Sequence, residues 1–204
     1  MGAGPIDQLI AHLSRLPGIG ERTATRLAFY LLRANPQFRE GLASAISNLS
    51  HIHLCSHCST VTDQDPCSIC KSHLRKRDLI CIVEKPSDIY SIERLHSYGG
   101  LYHVLHGLLS PIEGVAPSDL RISHLMQRVV ENPPSEIILA LSPTVEGDAT
   151  SAYLVKQLDS PTLRAGGRKI TISRLASGLP IGSDLEFADQ ITLGKAFEAR
   201  TLVG

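Results

Sequence analysis

Apolar positions along residues 5–15, "PIDQLIAHLSR", recur at Ile6, Leu9, Ile10 and Leu13. That is the 3.6-residue period of a helix with one apolar face, and Pro5 suits its first turn. "LPGIG" at 16–20 interrupts the period, "ERTATRLAFYLLR" at 21–33 resumes it, and Asn35-Pro36 ends the second helix. Residues 37–50 read as a third. After a cysteine-bearing stretch at 55–70 and a charged "KSHLRKRD" at 71–78 the rhythm changes. "LICIV" (79–83), "LYHVL" (101–105), "EIILAL" (136–141) and "KITIS" (169–173) are short apolar runs rich in β-formers. Helix candidates at 87–97, 118–131, 147–158 and 184–199 alternate with them, and Ser118 before Asp119 reads as the cap of the second. Strands alternating with helices predict a parallel sheet flanked by helices. The expected fold is therefore α/β: a small helical front at 1–53, a four-cysteine motif at 54–77, a sheet domain at 78–175 and a C-terminal segment at 176–204. That last segment is expected to pack on the sheet domain, on a neighbouring subunit, or on both.

Composition narrows the classes. With 43% hydrophobic residues over 204 positions the chain can bury a core, so disorder is not the expectation. No run of about 18 apolar residues occurs, so no membrane span is expected. No basic start precedes an apolar stretch and cleavage site, which predicts a cytoplasmic protein. Net charge is zero, yet residues 1–77 hold 9 Lys+Arg against 5 Asp+Glu, and residues 78–204 hold 11 against 15. A basic front on an acidic back is compatible with nucleic acid at the front.

The turn "LPGIGERTATRL" (16–27) carries the first candidate chemistry. Gly18 and Gly20 let the backbone turn tightly and let its N–H groups approach a phosphate oxygen, while Ile19 plugs the gap between helices. Arg22 and Arg26, four residues apart, share a helix face from which they can neutralise neighbouring phosphates. The string resembles a helix-hairpin-helix motif, a sequence-independent DNA-backbone binder. An ordinary glycine turn beside two solvated arginines is the plainer alternative, and the complete Leu-Pro-Gly-Ile-Gly string favours the motif.

Cys55-x2-Cys58 and Cys67-x2-Cys70 form two knuckles with eight residues between them. Four thiolates at that spacing suit one tetrahedral Zn2+ in a closed site, structural rather than catalytic because no position is left for water. His51, His53, His57 and His73 lie near enough to compete as ligands, but the paired spacing favours the cysteines. Cys81, inside "LICIV", reads as a core thiol.

A third constellation is acidic. Glu84 follows the strand "LICIV", and Glu146 and Asp148 follow "EIILAL". Carboxyl ends of parallel strands are where ligands usually bind. On neighbouring strands the three carboxylates could converge on Mg2+, or they could be solvated caps. A strand-Glu followed some sixty residues later by acid-x-acid resembles the TOPRIM domain of topoisomerases, primases and recombination proteins.

Hairpin, four-cysteine motif and TOPRIM-like body, in that order, resemble the RecR family of bacterial recombination mediators over nearly the whole chain. The strings that carry the likeness are "LPGIGERTATRLAFYLL", "CSHCSTVTDQDPCSIC", "CIVEKPSDIYSIE", "YHVLHGLLSPIEGVAP", "SPTVEGDATSAYL" and "SRLASGLPIGSDLEFADQITLGKAFEAR". The resemblance implies a DNA-binding scaffold in recombinational repair. It would act with RecO and RecF to load RecA onto strands coated with single-stranded-DNA-binding protein. It also implies a homodimer or ring-like homotetramer, DNA contacts through Arg22 and Arg26, and RecO contacts through the TOPRIM acids. The general TOPRIM pattern has Asp-x-Asp where this chain has Glu146-Gly147-Asp148, and the extra methylene displaces a carboxylate that octahedral Mg2+ would need in place.

An enzyme of nickase or primase type, using the same acids, is the alternative. Of Tyr30, Tyr90, Tyr98, Tyr102 and Tyr153 none stands in an evident nucleophile's context, and Tyr30 and Tyr102 read as packing residues. No Walker A string occurs. "RAGGRKI" (164–170) reads as an exposed turn, and His103 and His106 as core or polar-edge residues. The expected activity is binding without catalysis.

Overall fold

The computed structural model describes residues 4–159, 170–176, 178–179, 182 and 184–201. Two compact units emerge, Met1–Ile52 and His53–Gly204. Residues 164–169 of the "RAGGRKI" turn lie outside the described residues, as does the first residue of "KITIS".

The first unit holds α1 (Pro5–Leu13), α2 (Glu21–Arg33) and α3 (Pro36–Asn48), then a 3-10 turn at Leu49–His51. Pro5 and Pro36 open their helices, where a missing N–H costs nothing. Asn35 Oδ1 accepts from Phe38 N at 2.7 Å, so α3 starts one residue earlier than its pattern predicted. α2 packs on α1. It buries Ala24 and Ala28, whose small side chains at a spacing of four let two helices approach closely. Little else in this unit is buried. Tyr30 is 60% exposed, edge-on to Phe38 at 6.3 Å, which corrects its reading as a packing residue. Leu32, Ile46 and Leu49 are also exposed.

The second unit begins with a ribbon of β1 (His53–Leu54) and β2 (Val61–Thr62) and a short α4 (Ser68–Lys71), too brief to leave a periodic signal. The main body follows as β3 (Lys76–Val83), α5 (Pro86–Glu93), β4 (Gly100–Val104), α6 (Ile122–Glu131), β5 (Glu136–Ala140), α7 (Val145–Leu158), β6 (Thr171–Arg174) and α8 (Gln190–Glu198). The four-stranded sheet has order β4-β3-β5-β6 with every pairing parallel. Alternation along β3 separates two cores. Ile80 and Ile82 join Ile137 and Leu139 of β5, Leu125 and Val129 of α6 and Leu154 of α7. Cys81 and Val83 join Tyr102 and Val104 of β4 and Ile89 of α5. The architecture is the expected mixed α/β one.

Three boundaries move for identifiable reasons. β3 starts at Lys76, inside the charged stretch, because its first three residues are exposed and the apolar run marks only its buried end. α6 starts at Ile122, not 118. Asp119 Oδ2 accepts from Ala116 N at 2.8 Å, closing a 3-10 turn at Pro117–Asp119, so Ser118 is not the cap. α5 stops at Glu93, short of 97. That carboxylate receives Arg75 Nη1 at 2.9 Å, Arg75 Nη2 at 2.5 Å and Tyr102 Oη at 2.6 Å. His96 then takes a left-handed φ of 51°.

The Arg75–Glu93 pair holds the residues just after the cysteine motif against the sheet domain, and Arg75 also donates to Tyr98 O. Arg75, ahead of Tyr102 Oη, holds the Glu93 carboxyl below its ordinary range. A depressed carboxyl contributes stability above the unfolded value of about 4.3, lost as pH falls through the folded value. Glu93→Gln is expected to cost about 2 kcal/mol at pH 7, since both partners are mostly withdrawn from water. Urea unfolding of the two proteins at pH 7 and pH 3 checks this: the gap should close at the lower pH.

Candidate functional site

Cys55 leaves β1 at its end, and Cys58 lies three residues on in the turn toward β2. Cys67 stands at the N-cap of α4, and Cys70 lies within that helix. All four are buried, and their sulfurs lie within 4.8 Å of one another. Zn–S bonds of about 2.3 Å in a tetrahedron require sulfurs about 3.8 Å apart; Cys58 and Cys67 stand at 3.6 Å. Backbone bonds set both knuckles: Ser59 N donates to Cys55 O at 2.9 Å, Cys55 N to Thr60 O at 2.8 Å, and Lys71 N to Cys67 O at 2.9 Å. Cys67 N donates to Cys55 Sγ at 3.3 Å, a bond that favours the thiolate. Without a cation the sulfurs share protons, the Cys58 thiol being pushed up chiefly by its hydrogen bond with Cys67. A divalent soft-ligand ion takes the place of those protons. The centre holds one structural Zn2+, and no histidine joins the cluster among the described residues.

The knuckle also docks on the sheet domain. Val104 N, at the end of edge strand β4, donates to Cys58 O at 2.9 Å. Ser59, at φ 59°, places its carbonyl 2.6 Å from His106 Nε2 and its hydroxyl 3.0 Å from His124 Nδ1. No local spacing announces these contacts, because they join residues 47 and 65 positions apart. His103 is fully buried, 3.0 Å from Arg121 O, and burial pushes it down to about 3, so it is neutral. Cys81 is a core thiol pushed up to about 12 by burial.

In the hairpin, Ile19 N donates to Leu16 O at 3.1 Å and Gly18 adopts φ 78°, which a side chain rarely allows. Gly20, the N-cap of α2, has an ordinary φ of −80°, and a Cβ built there meets nothing within 4 Å. Neither conformation nor packing therefore demands glycine at 20. Its open side lies at the N-terminus of α2, where unpaired N–H groups and the helix dipole favour an anion. Arg22 and Arg26 are exposed and make no hydrogen bond or ion pair among the described residues. Ile19 is half-buried.

The acids sit at the carboxyl ends of two adjacent strands. Val83 of β3 pairs with Ala140 of β5, so Glu84 and the first turn of α7 adjoin. Glu84 accepts from Ser142 Oγ at 2.9 Å and pairs with Lys85 at 2.9 Å. Asp148 is held by Arg174 at the end of β6, with Lys195 of α8 at 3.9 Å, and Arg174 draws its carboxyl below the ordinary range. Glu146 has no side-chain partner among the described residues, and Val145 beside it is 82% exposed. Gly147 explains the geometry. A Cβ there would stand 1.9 Å from Ser142 O, so α7 can begin this close to β5 only with glycine. Thr144 Oγ1 caps the helix by accepting from Gly147 N at 3.2 Å. Sequence reasoning reached the acids but not Arg174 and Lys195, which approach from distant elements.

Comparison with known proteins adds an independent line. The helix-hairpin-helix model of RecR matches residues 6–49, and the RecR model for a zinc finger of four cysteines matches residues 52–72. A Toprim domain model matches 78–176, and the RecR C-terminal model 178–201. The chain is 48% identical over 199 residues to the recombination protein RecR of Anaeromyxobacter dehalogenans, covering 97% of each. It is 50% identical over 197 residues to that of Desulfitobacterium hafniense, covering 96% of this chain and 94% of the relative. Against that of Myxococcus xanthus the figures are 45% over 201 residues and 98% of each. With a hairpin, a four-cysteine centre and a parallel sheet in the same order, at this identity over nearly its whole length, the chain belongs to the RecR family of recombination proteins.

Proposed function

We propose that this chain is a non-enzymatic DNA clamp and adaptor in recombinational repair. In this reading it works in the cytoplasm with RecO and RecF to load RecA onto strands coated with single-stranded-DNA-binding protein. The observation that carries it is the hairpin: two arginines, unpaired among the described residues, beside a glycine whose open side none of those residues fills. That combination suits a phosphate backbone, whose contacts carry no sequence information, so binding is expected to be indifferent to sequence. A homodimer or ring-like homotetramer is supported by the apolar residues the first unit leaves exposed, Leu32, Ile46 and Leu49 among them. Repetition by symmetry would also gather hairpins into a basic surface on a chain of zero net charge.

The acids fit recognition better than metal chemistry. Asp148 and Glu84 are already paired with cations of this chain, and assembling Mg2+ would require breaking those contacts. Glu146, without a side-chain partner among the described residues, and exposed Val145 beside it offer one charge next to one apolar knob, a suitable contact for a partner protein such as RecO.

Changing both Arg22 and Arg26 to Ala tests the reading. Affinity for a DNA oligonucleotide should fall, and the salt slope should drop by roughly 1.5 for each hairpin engaged. Gly20→Ala should also weaken binding while shifting stability by no more than about 1 kcal/mol, because it touches nothing in the folded protein. Unaltered affinity and slope in the double variant would remove the hairpin from DNA binding. A plasmid-nicking and primer-synthesis assay with Mg2+ and Mn2+, comparing wild type with Glu84→Gln/Asp148→Asn, addresses catalysis. Turnover lost in that variant would replace the clamp with an enzyme.

A further inference from the structure

A cavity of about 300 Å³ opens between the zinc knuckle, strands β3 and β4, and α6. Glu84 is not among its lining residues, and the hairpin belongs to the other unit. Its floor is apolar, made by buried Ile80 and Leu101. Arg77 of β3 and Arg128 of α6 line it, together with His57 of the knuckle and His124. Arg128 is half-buried and donates Nη1 to Tyr102 O at 2.7 Å, and the more exposed Arg77 reaches only Cys70 O at 3.5 Å. Neither guanidinium meets a carboxylate among the described residues. Glu131, the one acid in the lining, is turned to Gln127 Nε2 at 3.0 Å.

A cation partly withdrawn from water, as Arg128 is, is ordinarily paired, and a second guanidinium faces the same cavity. Half-buried Arg128 with exposed Arg77 beside it, neither meeting a carboxylate among the described residues, marks a place for an anion. The guanidinium fork matches phosphate oxygens with two parallel hydrogen bonds. The volume is at the small end of the range for small-molecule sites, roughly 300–1,000 Å³, enough for a phosphate and part of a nucleoside and too small for a duplex. An apolar floor beneath a charged wall suits a ligand with one flat face and one anionic end. We propose that this cavity is a phosphate-binding site that accepts a single nucleotide, either free or as one residue of a single strand.

Titration calorimetry on the zinc-loaded, full-length protein at low salt tests this with dTMP and inorganic phosphate as probes. Saturable dTMP binding is expected, weakened about tenfold or more in Arg77→Gln, since a charge-assisted hydrogen bond is lost. Arg128→Lys should weaken it too, while keeping a charge and a donor for Tyr102 O. The Arg22→Ala/Arg26→Ala variant should bind dTMP as wild type does, which separates failure of this site from failure of the hairpin. In that same background, a further loss of affinity for an oligo-dT strand on adding Arg77→Gln would identify the strand as the source of the phosphate. Loss of dTMP binding alone would identify a free nucleotide. Absence of saturable binding of either probe up to about 10 mM, or dTMP binding indifferent to Arg77→Gln, overturns the proposal.

Discussion

Removing zinc, by chelation or by Cys67→Ser, is expected to lower the melting temperature by about 10 °C and to release one zinc per chain. Structural zinc contributes about 10–16 kcal/mol to isolated finger peptides, because the ligand cage and the fold form together. Here the knuckles have only a two-residue ribbon and one turn of helix besides the metal, so residues 53–72 cannot hold their shape alone. The loss also reaches the sheet domain: Val104 N loses its acceptor on Cys58, and His106 and His124 lose Ser59. Three such contacts, at about 1 kcal/mol or more each, correspond to a shift of that size in a domain of this length. Cys67→Ser is the sharper variant because it removes the sulfur that stands 3.6 Å from Cys58 Sγ, so both knuckles feel the change. Zinc released on thiol modification, read with a chromogenic chelator beside thermal melts, checks both halves. An unchanged melt after complete zinc removal would show that the centre does not support the fold.

Gly147→Ala is expected to cost more than about 3 kcal/mol, the range reserved for a change the fold cannot absorb. The new methyl would lie 1.9 Å from the carbonyl oxygen of Ser142 and 3.0 Å from its carbon. Both atoms are backbone, so no side chain can swing aside. Relief requires moving the start of α7 away from β5, which would carry Glu146 and Asp148 out of their places and separate Asp148 from Arg174. Gly194→Ala is the control: it also lies within a helix, in α8, meets nothing within 4 Å, and should stabilise by about 0.5–1 kcal/mol. Denaturant unfolding of both variants gives the comparison. A Gly147→Ala protein as stable as wild type would mean that the turn is not held where it is described.

Much of this was legible because periodicity and spacing are local. The apolar run "LICIV" has no polar position to obscure it, and two Cys-x2-Cys pairs have few uses other than binding one ion. What stayed hidden involves partners far apart in the chain. Asp119 looked like the start of a helix because nothing nearby shows its carboxylate closing the preceding turn. Tyr30 looked buried because an apolar face is identical in sequence whether its own unit covers it or leaves it open. The acids were visible at the strand ends, but Arg174 and Lys195 were not, since only the sheet order brings β6 beside β5.

The cover on β4 makes the sheet directional. The Val104 N–H is taken by Cys58 and the Tyr102 carbonyl by Arg128, so two of the groups a newcomer would pair with on that margin are occupied. On the other margin β6 is bonded only to β5 among the described residues. A strand added on the β4 margin would therefore have to displace Cys58 and Arg128 first.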